Sequence, residues 1–508
     1  MTLTHRRLAF ATLLLFGCNT LTMGNTDSIV LPNIGETAES YLSTEDEQRY
    51  GEEFMRSIRR SLDLVTDPEI QNYVEALGNR LVASSGVSSG RKFSFFVVRD
   101  PSINAFAGPG GYIGVHSGLF ITGESEAELA SVMAHEIAHV TQRHIARAFE
   151  DSSRMSVPMT AAIIAAIILG SRAGSGQAGE AAIAASLGGS IQRQINFTRA
   201  NEQEADRVGL QILADAGYEP RAMPRFFEHL QQASIFYDDG LQLEFLRTHP
   251  VTIARISDTR NRAEQYPELR ESISDAFPLI REKVRVLQEA NPDKSLVWYE
   301  GALAETKEGT KEGAKENERD ALRYGYAVAL NAAGRYAEAS AQLTSLAKRE
   351  PERVAYQIAL AEAALGQSRI DEALIIYERS LGLYPYHLPL TLYYAHALLQ
   401  NGQAEKAAQV IDNYTRARSQ RPELYRLLAQ ARDAMKDPLG ARQALAEYYY
   451  LRGDMRAALE QLQMALRLVP KSDVRATRLT ARIESMRNEW RIRAKFSGEV
   501  VPEERPNR

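Results

Sequence analysis

Cysteine is almost missing from this chain: Cys18 is the single one in 508 residues. A lone thiol cannot build a disulfide framework. It also excludes a thiolate-ligated zinc site, so any metal must be held by histidine and carboxylate. Neither sign of charge dominates. The formal net charge is −5, which gives no reason to propose nucleic acid as a partner. Long apolar runs are lacking as well. Leu8 to Phe16 spans nine residues and Met159 to Leu169 eleven, well short of the ~20 that a membrane-spanning helix needs. What remains is an ordinary composition, 44% hydrophobic and 25% charged, on a chain long enough for two or three domains.

The first apolar run follows Arg6 and Arg7 and precedes a polar stretch, the layout of an export signal over residues 1–24. Its end can be read in two ways. Leu15-Phe16-Gly17-Cys18 resembles a bacterial lipoprotein box, which would leave a lipid anchor on Cys18. Cleavage near Gly24 would instead release an unanchored protein. Both readings place the mature chain in the periplasm, free or peripheral to a membrane.

The stretch that organises the rest is Ser131-Val-Met-Ala-His135-Glu136-Ile-Ala-His139-Val140. It is apolar, rich in alanine and free of Pro and Gly, so it should be helical. On a helix, residues four apart share a face with Cβ atoms about 5–6 Å apart. His135 and His139 can therefore hold one Zn²⁺ through ring nitrogens. Glu136 lies about 100° round the helix, where a general base for a metal-activated water belongs. One long helix is expected over residues 124–148. His144, nine residues after His135, would then face away and is read as a surface residue.

Further chemistry lies downstream. Glu202 and Asp206 are again four apart on a predicted helix. Glu202 is placed to be the third metal ligand, and Asp206 to accept the free N–H of a ligating imidazole. Glu204 between them is read as solvated. Thr248-His249-Pro250, with Arg255 six residues after the histidine, could stabilise an oxyanion. Alternatively, His249 takes the fourth zinc position at rest and makes the enzyme latent.

Around these residues the sequence predicts helices over 44–82 and a strand over 93–98. Residues 104–111 are expected to lead into a tight hairpin, with a returning strand over 112–117. Such a small sheet could hold an extended substrate backbone at its edge. Residues 159–187 read as two helices packed on the core, or as a mobile lid or membrane-touching element over the cleft. Residues 263–320 are helical and increasingly charged. A 34-residue period follows in Ala339, Ala373, Ala407 and Ala441, and in Pro351 and Pro385. Gly334, Gly366 and Gly402 are assigned to the turns between paired helices. That period belongs to tetratricopeptide repeats, which stack into a solenoid with a concave binding face. Gly453 arrives about half a repeat early, as if one helix served two pairs, and a capping helix is expected near 474–495.

His135-Glu136-x-x-His139, Glu202-x-x-Ala205-Asp206 and Thr248-His249-Pro250 with Arg255 together resemble the HtpX/Ste-type membrane-associated zinc metallopeptidases. With the export signal and the repeats, nearly the whole chain is similar to the family of periplasmic β-barrel assembly-enhancing proteases. The resemblance implies one Zn²⁺ held by His135, His139 and Glu202, with Glu136 as base and Asp206 orienting a ligand. It implies transition-state or regulatory work for His249 and Arg255. It further implies outer-membrane β-barrel substrates, and contact with the barrel-assembly machinery through the repeats. The expected fold is mainly α. An α+β zincin-type peptidase domain with a small sheet (25–265) is followed by a helical linker (266–320), an α-solenoid of repeats (321–495) and a tail (496–508). The expected activity is that of a gluzincin-type endopeptidase. The alternative is an assembly scaffold in which the repeats do the work and cleavage is secondary.

Overall fold

A computed structural model describes residues 43–87, 91–149, 199–236, 244–269, 275–308, 314–418 and 421–497. The export signal, the lipoprotein box, the 159–187 helices or lid, and the tail lie outside the described residues. No described helix is long and apolar enough to cross a membrane.

The N-terminal half opens with α1 (Thr44–Ser61) and α2 (Pro68–Ala83). Asp67 caps α2 by accepting from the backbone N–H of Glu69 and Ile70, and Pro68 occupies the first turn, where its missing N–H costs nothing. A three-stranded sheet follows: β1 (Ser94–Val98), β2 (Ala105–Ala107) and β3 (Tyr112–His116), in the order β1-β3-β2. Part of the expected lead-in at 104–111, residues 105–107, is thus itself a strand. β2 pairs antiparallel with β3, and β1 pairs parallel with it. A chain reversal before β2 and a second after it restore the original direction, which a single hairpin would have inverted.

Next come α3 (Ser117–Thr122), α4 (Glu126–Thr141) and α5 (His144–Phe149). Ser125 caps α4, accepting from the N–H of Glu128. Every residue of α4 from Ala127 to Val140 is buried, which is how a helix without a polar face must be placed. The expected single helix over 124–148 is instead two. Arg143 adopts φ 55°, in the left-handed region, and this turn swings His144 back toward the core. Four further helices complete this half: α6 (Arg199–Asp215), α7 (Ala222–Phe236), α8 (Glu244–Thr248) and α9 (Ile253–Ala263). α4 packs against α2, α6, α7 and β2. At Gly209 of α6, an added Cβ would lie 3.1–3.2 Å from the His135 backbone. The missing side chain is what lets α6 approach α4 at the His135 turn.

α10 (Phe277–Gln288) and α11 (Pro292–Glu308) lead into paired helices: α12 (Ala314–Ala332) with α13 (Tyr336–Arg349), α14 (Val354–Gly366) with α15 (Ile370–Leu383), α16 (Leu388–Gln400) with α17 (Ala404–Ala417), and α18 (Pro422–Ala434) with α19 (Pro438–Leu451). Ala339, Ala373, Ala407 and Ala441 are all buried, because small residues let the paired helices approach. The turn signal is more regular than the glycines suggest. Gly334, Ser368, Gly402 and Lys436, each 34 after the last, all have φ between 59° and 75°. Gly366 is not the turn residue of its repeat. It ends α14 against the Tyr336 ring, where a Cβ would clash. After α19 the turn at Gly453 opens α20 (Met455–Arg467), and α21 (Val474–Ser497) closes the array. α19 packs against both α18 and α20, so one helix does serve two pairs.

Candidate metal centre

α4 delivers three of the candidate residues from one turn and a half: His135, Glu136 and His139, each at most 1% exposed. α6 brings Glu202 and Asp206 from its first two turns. His249 sits at the end of α8, its ring stacked on Phe245 at 4.9 Å. α8 is held to the sheet side by the Phe245 N–H, which donates to the Ile103 carbonyl at 3.1 Å.

Ligand atoms of His135, His139, Glu202 and His249 all lie within 4.8 Å of one another. His135 Nε2 and His139 Nε2 are 3.0 Å apart. Glu202 approaches each at 3.5 Å through a different oxygen. His249 Nδ1 lies 3.1 Å from Glu202 Oε1 and 3.4 Å from His135 Nε2. A tetrahedral ion with bonds of ~2.0–2.1 Å separates its donors by roughly 3.3–3.4 Å. Three imidazoles and a carboxylate at these spacings, in a pocket closed to solvent, therefore suit a divalent metal. Glu136 lies beside this group. Its carboxylate is buried, accepts no hydrogen bond from the described residues, and meets His249 Nε2 at 3.5 Å.

The far sides of the ligands are also occupied. Asp206 Oδ1 lies 3.0 Å from His135 Nδ1, which leaves Nε2 directed at the other donors. Arg255 grips Asp206 with two bonds of 2.7 Å and reaches Glu202 at 2.8 Å and the Pro250 carbonyl at 3.0 Å. Its guanidinium is thus committed to orienting two carboxylates. It is not free to hold an oxyanion, the first of the roles expected of it. Burial works against the His135 imidazolium, but hydrogen bonds to Asp206 and Glu202, which accept, outweigh it and lift its pKa to about 9. Burial also opposes the Glu202 carboxylate, yet His249 and His135 hold its pKa well below the usual range. His139, buried beside His135, is pushed well below 6.5.

His144 corrects the reading of that residue as surface. It is fully buried, with Nδ1 2.8 Å from His139 Nδ1 and Nε2 3.0 Å from Glu204 Oε2. Arg147 donates to the same Glu204 oxygen at 2.9 Å. Glu204 is therefore partnered and not merely solvated. With His139 Nε2 turned to the other donors, its Nδ1–H donates to His144, and His144 Nε2–H donates to Glu204. Burial holds the His144 pKa down at about 4 despite Glu204, so it stays neutral and able to accept. The available signal was the polar Thr141-Gln142-Arg143 run, where an apolar helix has reason to end.

The family model described as peptidase family M48 matches residues 68–263. Two models of tetratricopeptide repeats match residues 327–387 and 364–431. A protein of Escherichia coli strain K12 named beta-barrel assembly-enhancing protease is 37% identical over 460 residues, covering 90% of this chain and 91% of its own. The Yersinia pestis protein of the same name is 35% identical over 461 residues, covering 90% and 92%. A mitochondrial metalloendopeptidase OMA1 of Schizosaccharomyces pombe is 32% identical over 214 residues, covering 40% of this chain and 56% of its own. On this breadth of likeness, the chain is an M48 metallopeptidase joined to tetratricopeptide repeats and belongs to the beta-barrel assembly-enhancing protease family.

Proposed function

We propose that the chain is a periplasmic zinc endopeptidase that promotes assembly of outer-membrane β-barrel proteins and degrades those that misassemble. The observation that carries the proposal is the convergence of His135, His139, Glu202 and His249 within 4.8 Å, with the Glu136 carboxylate beside them and hydrogen-bonded to none of the described residues. His135, His139 and Glu202 would hold the metal. Bound zinc supplies a Lewis acid and a water of lowered pKa. Glu136 is the group free to take a proton from water and return it to the leaving amine nitrogen. Asp206 and Arg255 fix the orientation of His135 and Glu202. The names of the full-length relatives support the β-barrel connection, and the repeats offer the surface for recruiting partners.

The test is metal analysis together with proteolysis of an unfolded β-barrel protein by wild type and Glu136→Gln. One zinc per chain and cleavage by wild type alone are expected. Cleavage that persists in Glu136→Gln would overturn the assignment of the base.

One observation favours a second reading, in which proteolysis is latent and the repeats act as an assembly scaffold. His249 completes a closed set of four donors, as structural sites do. Replacing His249 separates the alternatives: higher proteolysis supports latency, and lower proteolysis supports an oxyanion role. If Glu136→Gln fully rescues envelope assembly defects, the scaffold reading replaces the protease reading.

A further inference from the structure

A cavity of about 590 Å³ opens between α1 and the last helices of the repeat array, far from the metal ligands in the chain. Six arginines line it against three carboxylates. Two arginines are already neutralised: Arg49 pairs with Glu45 and Asp46, and Arg56 with Glu53 at 2.6 Å. Asp454 is spent on capping α20, where it accepts from the Ala457 N–H at 3.0 Å. Four guanidiniums are left over. Arg59 and Arg60 come from α1, Arg452 from the turn joining α19 to α20, and Arg456 from the first turn of α20. None of the four has a carboxylate within 4 Å among the described residues. Arg60 donates to the Arg56 carbonyl and Arg452 to the Tyr448 hydroxyl. Partial desolvation at the cavity wall and the neighbouring Arg452 lower the Arg59 pKa, against an opposing pull from Tyr112, Glu423 and Tyr448. The fold thus holds like charges from its two ends against one cavity, where Glu52, Asp454 and Glu423 offset only part of their repulsion.

We infer that this cavity is a binding site for an acidic peptide segment, whose carboxylates are taken by Arg59, Arg60, Arg452 and Arg456. Guanidinium forks match carboxylates in paired hydrogen bonds. The volume falls within the ~300–1,000 Å³ of ordinary ligand pockets. Tyr449 and the buried Trp490 add aromatic wall for the aliphatic part of a side chain. A membrane surface fits less well. No residue lining the cavity is among the exposed large hydrophobics, so there is nothing to enter the headgroup layer. The four arginines, though exposed, line a cleft between helices. Because α1 belongs to the peptidase half and α19 to α21 to the repeats, the site would read a partner across both halves. It does not depend on whether the metal centre cleaves peptides.

The test is fluorescence anisotropy of a labelled octaglutamate peptide with the full chain, run alongside a labelled octalysine peptide. Parallel arms use inorganic phosphate and vesicles of phosphatidylglycerol. Octaglutamate is expected to bind and octalysine not. Arg59→Glu and Arg452→Glu should each weaken binding at least tenfold. Lys348→Glu, an equal charge change on exposed α13, should alter it less than twofold. Circular dichroism and thermal unfolding establish that each variant is folded. Equal weakening by Lys348→Glu would reduce the effect to net charge and overturn the proposal. So would vesicles or phosphate binding the groove while octaglutamate does not, the first pointing to a membrane surface and the second to a small anion.

Discussion

His144 Nδ1 lies 2.8 Å from His139 Nδ1, five residues away and across a break in the helix. The contact gives His139 a support equivalent to the one Asp206 gives His135. Groups that hold the outer nitrogen of a ligating imidazole fix its tautomer, and their loss typically costs ~10–100-fold in metal affinity. His144→Phe should therefore lower metal affinity by about that factor while leaving the four donors in place. Metal retained during titration with a competing chelator measures this. Unchanged retention would make His144 a packing residue only.

Arg255 and Asp206 form a buried, two-bond ion pair that also touches Glu202. A lysine at 255 keeps the charge but loses the planar fork. Arg255→Lys is expected to weaken metal binding about tenfold with a small loss of stability. Arg255→Ala would leave two buried carboxylates short of a cation, costing roughly 3–5 kcal/mol in urea unfolding. Titration with a competing chelator measures the first variant, and urea unfolding of the metal-free protein at one pH measures the second.

Which parts of this arrangement could be read from sequence follows from how local each is. His135, Glu136 and His139 share a helical turn, so spacing alone brings them together. The pairing of Glu202 with Asp206 is local too, but their approach to His135 depends on Gly209, whose significance is clear only once α4 lies against it. His144 was misplaced because extending α4 past Thr141 assumes unbroken helix, and a single left-handed residue at Arg143 overturns every position after it. In the repeats the alanine period was legible. The turn period was hidden, because Ser368 and Lys436 adopt a conformation that sequence reading assigns to glycine. The parallel pairing of β1 with β3 is tertiary and left no local mark.

Lys283 on α10 is the buried cation between the two halves. Its Nζ meets Glu69, Asp67 at 2.9 Å and the Tyr393 hydroxyl at 3.2 Å. Tyr393, on α16 of the repeats, donates in turn to Asp67 at 2.9 Å. Removing the ammonium leaves two carboxylates in a poorly solvated site. Lys283→Met is therefore expected to cost about 3–5 kcal/mol. Tyr393→Phe removes one hydrogen bond between the halves and should cost about 1 kcal/mol. Urea unfolding of the full chain checks both. A neutral Lys283→Met would mean that the cluster is not under electrostatic tension.

Glu362 on α14 lies near the same cluster, and its carboxyl titrates at about 7. Burial is the main cause; Lys283 pulls the value down, while Glu69 and Asp67 push it up. A carboxyl whose folded pKa exceeds its unfolded value near 4.5 keeps a proton that the unfolded chain has released. Stability must then fall as pH rises from about 4.5 to about 7, and this contribution is flat beyond. Glu362→Gln cannot ionise, so it should match wild type at pH 4.5 and exceed it at pH 8. Because the side chain keeps some contact with water, the gain is expected at ~1–2 kcal/mol, less than the full shift would give. Urea midpoints at the two pH values measure the difference. If the variant is no more stable at pH 8 than at pH 4.5, relative to wild type, then Glu362 is already charged and paired in the folded chain, and Lys283 serves three carboxylates, not two.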